Sequence, residues 1–167
     1  MDHLSADFAD FYASARDDCL RVVFASVGDR QEAEDLAAEA FAKAWARWAT
    51  VRRHPAPRAW VVRTALNARI SRWRRRQREI VVPDAAPDGS SDGYLDGVVD
   101  RHLMTKVLRL PDRQRQVVAL RLFLDLDTAQ TADVLGIAAG TVTAHLARAI
   151  ATLRQDLSNG MGLEEKI

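Results

Sequence analysis

Residues 128–154 read TAQTADVLGIAAGTVTAHLARAIATLR, and their punctuation predicts two helices folded against each other. Asp127, with Gln130 three positions on, has the spacing of a helix cap ahead of the short helix TAQTADVL. Gly136 supplies a tight turn, because glycine takes a left-handed backbone conformation without steric cost. A longer helix, roughly Gly140 to Leu157, then carries Val142, Leu146, Ile150 and Leu153 inward at three- and four-residue steps. Ala129 and Ala132, read as inner residues, are small enough to let the helices cross closely. Gly160 is read as the end of the long helix, and MGLEEKI (161–167) as a frayed tail. Such a pair is a helix-turn-helix, whose second helix would enter a DNA major groove led by its N-terminal residues. The same geometry also occurs in proteins that touch no DNA.

Upstream of this pair, Val99, Leu103, Val107 and Leu110 form a short helical stripe, Pro111 breaks it, and Val117, Leu120 and Leu124 start another. Further upstream, residues 82–97 (VPDAAPDGSSDGYLDG) are rich in Pro, Gly, Ser and Asp and lack an apolar stripe. They read as a flexible acidic tether.

Ahead of the tether the pattern is again helical. Phe8, Phe11, Tyr12, Ala15, Cys19, Val22 and Val23 recur at helical steps, and Gly28 ends that helix. Asp29 and Glu32 have capping-box spacing for a second. There Ala33, Leu36, Ala37, Ala40, Phe41, Ala44, Trp45 and Trp48 form an apolar stripe, while Glu32, Asp35, Glu39 and Lys43 share an exposed face. After the loop TVRRHPAP (50–57), Pro57 suits the first turn of a third helix. Val62, Leu66, Ile70 and Trp73 point one way in that helix; Arg63, Asn67, Ser71, Arg74 and Arg78 share another face. No segment alternates with period two, so the fold class is all-α: two small helical domains joined by a flexible acidic linker.

Charge is strongly segregated although the net charge is only +1. Residues 1–40 hold ten acids and three arginines, residues 41–78 hold twelve Lys or Arg and no acid, and residues 80–100 hold five Asp and no base. Such asymmetry suggests surfaces with different partners. Arg72, Arg74, Arg75, Arg76 and Arg78 can neutralise phosphates. Trp60 can stack on a base or pack in the core, Trp73 reads as core, and Asn67 can bond a base edge. An apolar-backed acidic helix suits a basic docking partner, although a merely solvated face would look the same. One cysteine excludes an intramolecular disulfide. No stretch is apolar enough to span a membrane and the N-terminus lacks a signal-peptide pattern, so a cytoplasmic protein without membrane insertion is expected. Four scattered histidines and a single cysteine make a metal site unexpected. No nucleophile or paired-carboxylate arrangement points to an enzyme, and no cofactor is expected.

Three runs, in this order, resemble the extracytoplasmic-function (ECF) sigma factors of bacterial RNA polymerase. EAEDLAAEAFAKAWARW (32–48) resembles the helix that binds core polymerase, and AWVVRTALNARISRWRRRQR (59–78) the helix that opens and reads the −10 element. LPDRQRQVVALRLFLDLDTAQTADVLGIAAGTVTAHLARAIATLR (110–154) resembles their C-terminal helix-turn-helix, region 4. The resemblance implies region 2 over residues 1–80, a linker over 81–97, region 4 over 98–160 and a tail beyond. It implies that Glu32, Asp35, Leu36, Glu39 and Lys43 meet the polymerase clamp helices, and that region 4 adjoins the flap. Trp60, Arg63, Asn67, Ser71, Arg72, Arg74, Arg75, Arg76 and Arg78 would hold −10 DNA, helped by the loop Arg52–Arg58. Thr128, Thr141, Thr143, Ala144, His145 and Arg148 would face −35 DNA. An anti-sigma factor is a further possible partner.

Some positions depart from the family pattern. Ala38 stands where glutamine is frequent, Ala138 where a Ser or Thr cap is frequent, and Thr143 and His145 where basic residues are common. Weak or unusual −35 binding is therefore expected, depending on apolar contact with thymine methyls more than on arginine–guanine pairs. Two other functions fit the same residues: a helix-turn-helix regulator acting without core polymerase, and a sigma-like interaction adaptor.

Overall fold

Glycine and aspartate punctuation sets the helix boundaries much as the sequence pattern suggests. The computed structural model describes residues 3–79 and 101–164, with side chains described to residue 159. The expected linker at 81–97 lies outside the described residues. Helix α1 (His3–Val27) ends where Gly28 takes φ +82° and donates its N–H to Phe24 O at 2.8 Å. Helix α2 (Arg30–Ala46) opens with the Asp29 carboxylate accepting from Glu32 N at 2.7 Å. The Glu32 carboxylate turns instead toward Arg69, at 3.7 Å. Arg47 leaves helical geometry, so Trp48 belongs to a separate short helix, α3 (Trp48–Val51). Helix α4 (Pro57–Arg78) starts on Pro57, whose missing N–H costs nothing in a first turn.

The second unit comprises α5 (Arg101–Leu108), α6 (Asp112–Phe123), α7 (Thr128–Leu135) and α8 (Ala139–Glu164). A full capping box holds the start of α7: Asp127 accepts from Gln130 N at 2.8 Å, and Gln130 Oε1 accepts from Asp127 N at 3.0 Å. Gly136, at φ +64°, makes the turn into α8. Helix α8 does not end at Gly160 but continues to Glu164. Glycine terminates a helix when it takes the left-handed conformation; otherwise it only weakens one, by about 1 kcal/mol relative to alanine.

The core follows the apolar stripes with several corrections. Ile70 and Trp73 of α4 are exposed, Trp73 by 60%, where inward packing was expected. Their stripe has the right period, and Val62 and Leu66 bury, but the last turns of α4 outrun the helices that cover its beginning. Tyr12 and Trp45 are likewise exposed. In α8 Val142 buries as expected, but Ala149 buries in place of Ile150, and in α7 Thr131 and Ala132 bury while Ala129 is exposed. A core aromatic group gathers Phe8, Phe11, Phe41 and Trp48, with Phe11 and Trp48 stacked at 4.8 Å between centroids.

The two helical units share one buried core. Helix α6 packs along α1, and α7 against α4. Arg115 Nη2 donates to Ser26 O at 3.2 Å across this junction, and the Arg21 guanidinium lies 5.8 Å from the Phe123 ring centroid. Lys106 is buried between α5 and α8, its ammonium donating to Asp156 O at 3.0 Å. Among the described residues, no single helix is long and apolar enough to cross a membrane.

Candidate polymerase and nucleic-acid interfaces

The acidic side of α2 is continuous with the basic helix rather than separate from it. Asp35 and Lys43 are exposed and Glu32 and Glu39 half-buried, but Leu36 is 0% exposed. Leu36 therefore supports this face from the core and cannot form part of its surface, a correction to the expected docking set. Glu39 lies between two cations: Oε1 accepts from Lys43 Nζ at 2.7 Å and Oε2 from Arg72 Nη2 at 2.6 Å. The hydrogen bond from Lys43, followed by that from Arg72, holds its carboxyl below the ordinary glutamate range despite opposing desolvation. Ala38 is exposed in a shallow groove with Tyr12, Arg16, Glu34 and Phe41. Tyr12 meets Phe41 edge-on at 5.0 Å, giving this border an aromatic ledge. The inward reading of Tyr12 and Trp45 missed that ledge.

Helix α4 presents Arg63, Asn67, Ser71, Arg74 and Arg78 on one exposed face, at four-, four-, three- and four-residue steps. Arg75 and Arg76 are exposed beside them. Among the described residues, none of Arg63, Arg74, Arg75, Arg76 and Arg78 makes an ion pair, so their charges stand open to an anion. Arg72 differs, being half-buried and tied to Glu39. Trp60 is half-buried, packs against the main core and lines a crevice with Asp133 and Val134 of α7. The loop ahead of it is partly committed elsewhere: Arg52 pairs with Asp7 at 3.2 Å, and Arg58 with Asp18 at 2.8 Å and Ser14 O at 2.9 Å. Those two arginines brace α1 instead of facing solvent freely.

In the helix-turn-helix, Thr141, Thr143, Ala144 and Arg148 line the exposed first turns of α8. Thr143 Oγ1 donates to Ala139 O at 3.2 Å. His145 is only half-exposed, and its Nδ1 is buried without a hydrogen-bond partner among the described residues. Thr128 begins α7 and is half-buried.

The Sigma-70 region 2 family matches residues 11–79, and the Sigma-70 region 4 family residues 101–153. The RNA polymerase sigma-E factor of Streptomyces coelicolor is 35% identical over 152 residues, covering 90% of this chain and 86% of that protein. The ECF RNA polymerase sigma factor SigW of Bacillus subtilis is 30% identical, covering 91% and 88%. The chain belongs to the ECF sigma factors. A solved structure titled as the sigma factor RpoE in complex with the anti-sigma factor NepR, from Bartonella quintana, matches with a TM-score of 0.69 at 22% identity, covering 91% of this chain and 97% of that one. Its agreement concerns the fold. Sigma factors are transcription initiation factors that act with RNA polymerase and promoter DNA, and are not enzymes. In this sigma factor, region 2 contains the acidic α2 face and the open arginines of α4, while region 4 contains the helix-turn-helix.

Proposed function

We propose that this sigma factor divides its work by charge. The α2 face around Asp35 and Glu39 docks on core polymerase, the α4 face around Asn67 holds the unpaired −10 strand, and the first turns of α8 read the −35 region. The observation that carries the reading is the α4 face itself: a polar Asn67 within a row of exposed arginines that spend no charge on neighbouring carboxylates. Arginines supply strand affinity without sequence choice. An asparagine amide can donate to and accept from a base edge, which adds the choice. Melting a duplex is unfavourable, so capture of an unpaired base biases the equilibrium toward the open strand. The chain supplies binding energy and positioning, and the polymerase supplies the chemistry. It acts where polymerase and chromosome are, in the cytoplasm.

Region boundaries near residues 80 and 100 fit this division, and an anti-sigma factor that covers either surface would silence it. Run-off transcription with purified core polymerase on a promoter library tests the reading. Promoter-specific transcripts are expected only in the presence of this chain. Asn67→Ala should lower transcription from a selected promoter by about tenfold or more, a loss in the range of one well-formed base contact, with core association unchanged. Full transcription by that variant would remove base capture from the account.

A further inference from the structure

Helix α4 ends as an overhang. Ala68 is its last apolar residue packed on the core; Ile70 and Trp73 beyond it are exposed, beside an open cleft of about 460 Å³. Arg74, Arg75, Arg76 and Arg78 all lie on this uncovered stretch. Among the described residues, two ion pairs tie it back, both to α2. Arg69 Nε lies 3.7 Å from Glu32 Oε1, and Arg72 Nη2 lies 2.6 Å from Glu39 Oε2. The two arginines stand about one turn apart on α4, and the two carboxylates about two turns apart on α2. The overhang is therefore held at two points, which resists swinging as well as sliding. Neither arginine shares the side of the Asn67 row. At about 100° per residue, Arg69 points about 200° away from Asn67, and Arg72 about 200° away from Arg74. A strand laid along Asn67 and Arg74 passes on the far side of the helix from both.

We propose that Arg69 and Arg72 are positioning residues: with Glu32 and Glu39 they aim the overhanging end of α4, and so set where Arg74 and Arg78 meet the strand. This moves Arg72 out of the strand-binding set that the family resemblance implies. It also gives Glu39 a second task. Its Oε1 is taken by Lys43 and its Oε2 by Arg72, so its charge is answered within the chain. Exposed Asp35, by contrast, accepts from neutral Gln31 at 3.2 Å and keeps its charge for a partner. Glu39 thus acts on the strand without touching it. Charge counting alone gives the opposite expectation, because removing an acid near DNA favours binding of any polyanion. Here the loss of Glu39 frees Lys43 and Arg72 for indiscriminate binding, while the released end of α4 loses its aim and promoter opening falls. Opposite signs for these two quantities are the signature of a positioning carboxylate.

The inference rests on the reading that α4 holds unpaired DNA. In the full chain, a nitroxide on a cysteine placed at exposed Gln77 reports motion of the overhang; Cys19 is buried and does not compete. Arg72→Gln and Glu39→Gln should each raise the mobility of the label without DNA or polymerase, and Arg72→Lys should stay near the parent. Unchanged mobility in Arg72→Gln would overturn the inference. The second measurement uses a short random-sequence single-stranded oligonucleotide over a range of salt. Arg74→Gln should flatten the slope of log affinity against log salt by about 0.7, the worth of one phosphate contact on a single strand, and Arg72→Gln should leave it as it is. Equal flattening by Arg72→Gln would make Arg72 a strand contact and overturn its positioning role. Glu39→Gln should bind the oligonucleotide no less tightly than the parent. In run-off transcription with saturating chain, Arg72→Gln and Glu39→Gln should each lose about two- to fivefold, the range of one half-exposed ion pair. The double variant should lose no more than the larger single loss, because the pair is broken only once; additive losses would also overturn the proposal. If Arg74→Gln leaves the salt slope unchanged, the reading of α4 itself fails and the aiming of its strand contacts with it. The label then still reports on the two ion pairs by themselves.

Discussion

Cys19 sits fully buried in α1 with Sγ 3.8 Å from Arg58 O. Burial pushes its thiol up to about 12, against a smaller downward pull from Arg58 and a further push from Asp18. Its folded value is raised, so the associated stability is complete below the ordinary value of 9.0 and is lost as pH climbs toward 12. A thiol reagent at pH 8 should leave the native chain unlabelled and label it on unfolding; rapid native labelling would show that α1 is not sealed. Leu36 and Trp73 separate at the same scale. Leu36→Ala should cost about 2–5 kcal/mol in denaturant melts, as for other buried leucines. Trp73→Ala should stay within about 0.5 kcal/mol, because it changes an exposed side chain. Leu36 entered the docking set through the family resemblance, although the apolar stripe of α2 already included it. On a helix, successive residues point about 100° apart, so the neighbour of a surface acid faces the core.

Among elements, α7 was the most legible. Its bounds, its capping box and its glycine turn all follow from residue types that act locally: Asp127, Gln130 and Gly136 need no distant partner to set the backbone. Asp127→Ala should destabilise the fold by about 1 kcal/mol in thermal melts, the usual worth of an N-cap; an unchanged melt would mean that tertiary contacts alone hold α7. Helix α4 was legible in its start and its arginine face but not in the fate of its stripe. Periodicity says which residues share a side, and only the length of the neighbouring helices says where that side runs out of cover. Hence Val62 and Leu66 buried while Ile70 and Trp73 did not. Helix α8 passed over Gly160 for the converse reason: a glycine is a stop only if the next element needs the turn.

For the whole molecule, the two-unit organisation was legible from composition and charge, and the association of those units was not. Which body covers a given stripe depends on contacts far apart in sequence, such as Arg115 to Ser26, separated by 89 residues. The run Val22–Val27, buried throughout, did contain a hint, since VVFASV offers no charged side chain on any face. A stripe meant for one neighbour would have left room for one. The candidate surfaces were read on the same footing: residues set by a helical face, such as Arg63, Asn67 and Arg74, stood where the pattern placed them. Arg52, just after α3, and Arg58, in the first turn of α4, pair with carboxylates on α1, which no helical periodicity reveals.

That run also has a bearing on biosynthesis and on dissecting the protein. Ribosomes finish α1 long before α6 exists, so an oily flank built around Phe24 and Val27 waits bare for most of translation. A polypeptide cut after residue 79 would keep that flank bare permanently. Such a fragment should be recovered largely as sedimenting aggregate, or with strong binding of a hydrophobic dye, whereas the intact chain stays monodisperse. A soluble, dye-silent fragment would mean that α1 needs no second neighbour. Otherwise half of this chain is a poor stand-in for the whole, and its parts are best studied joined.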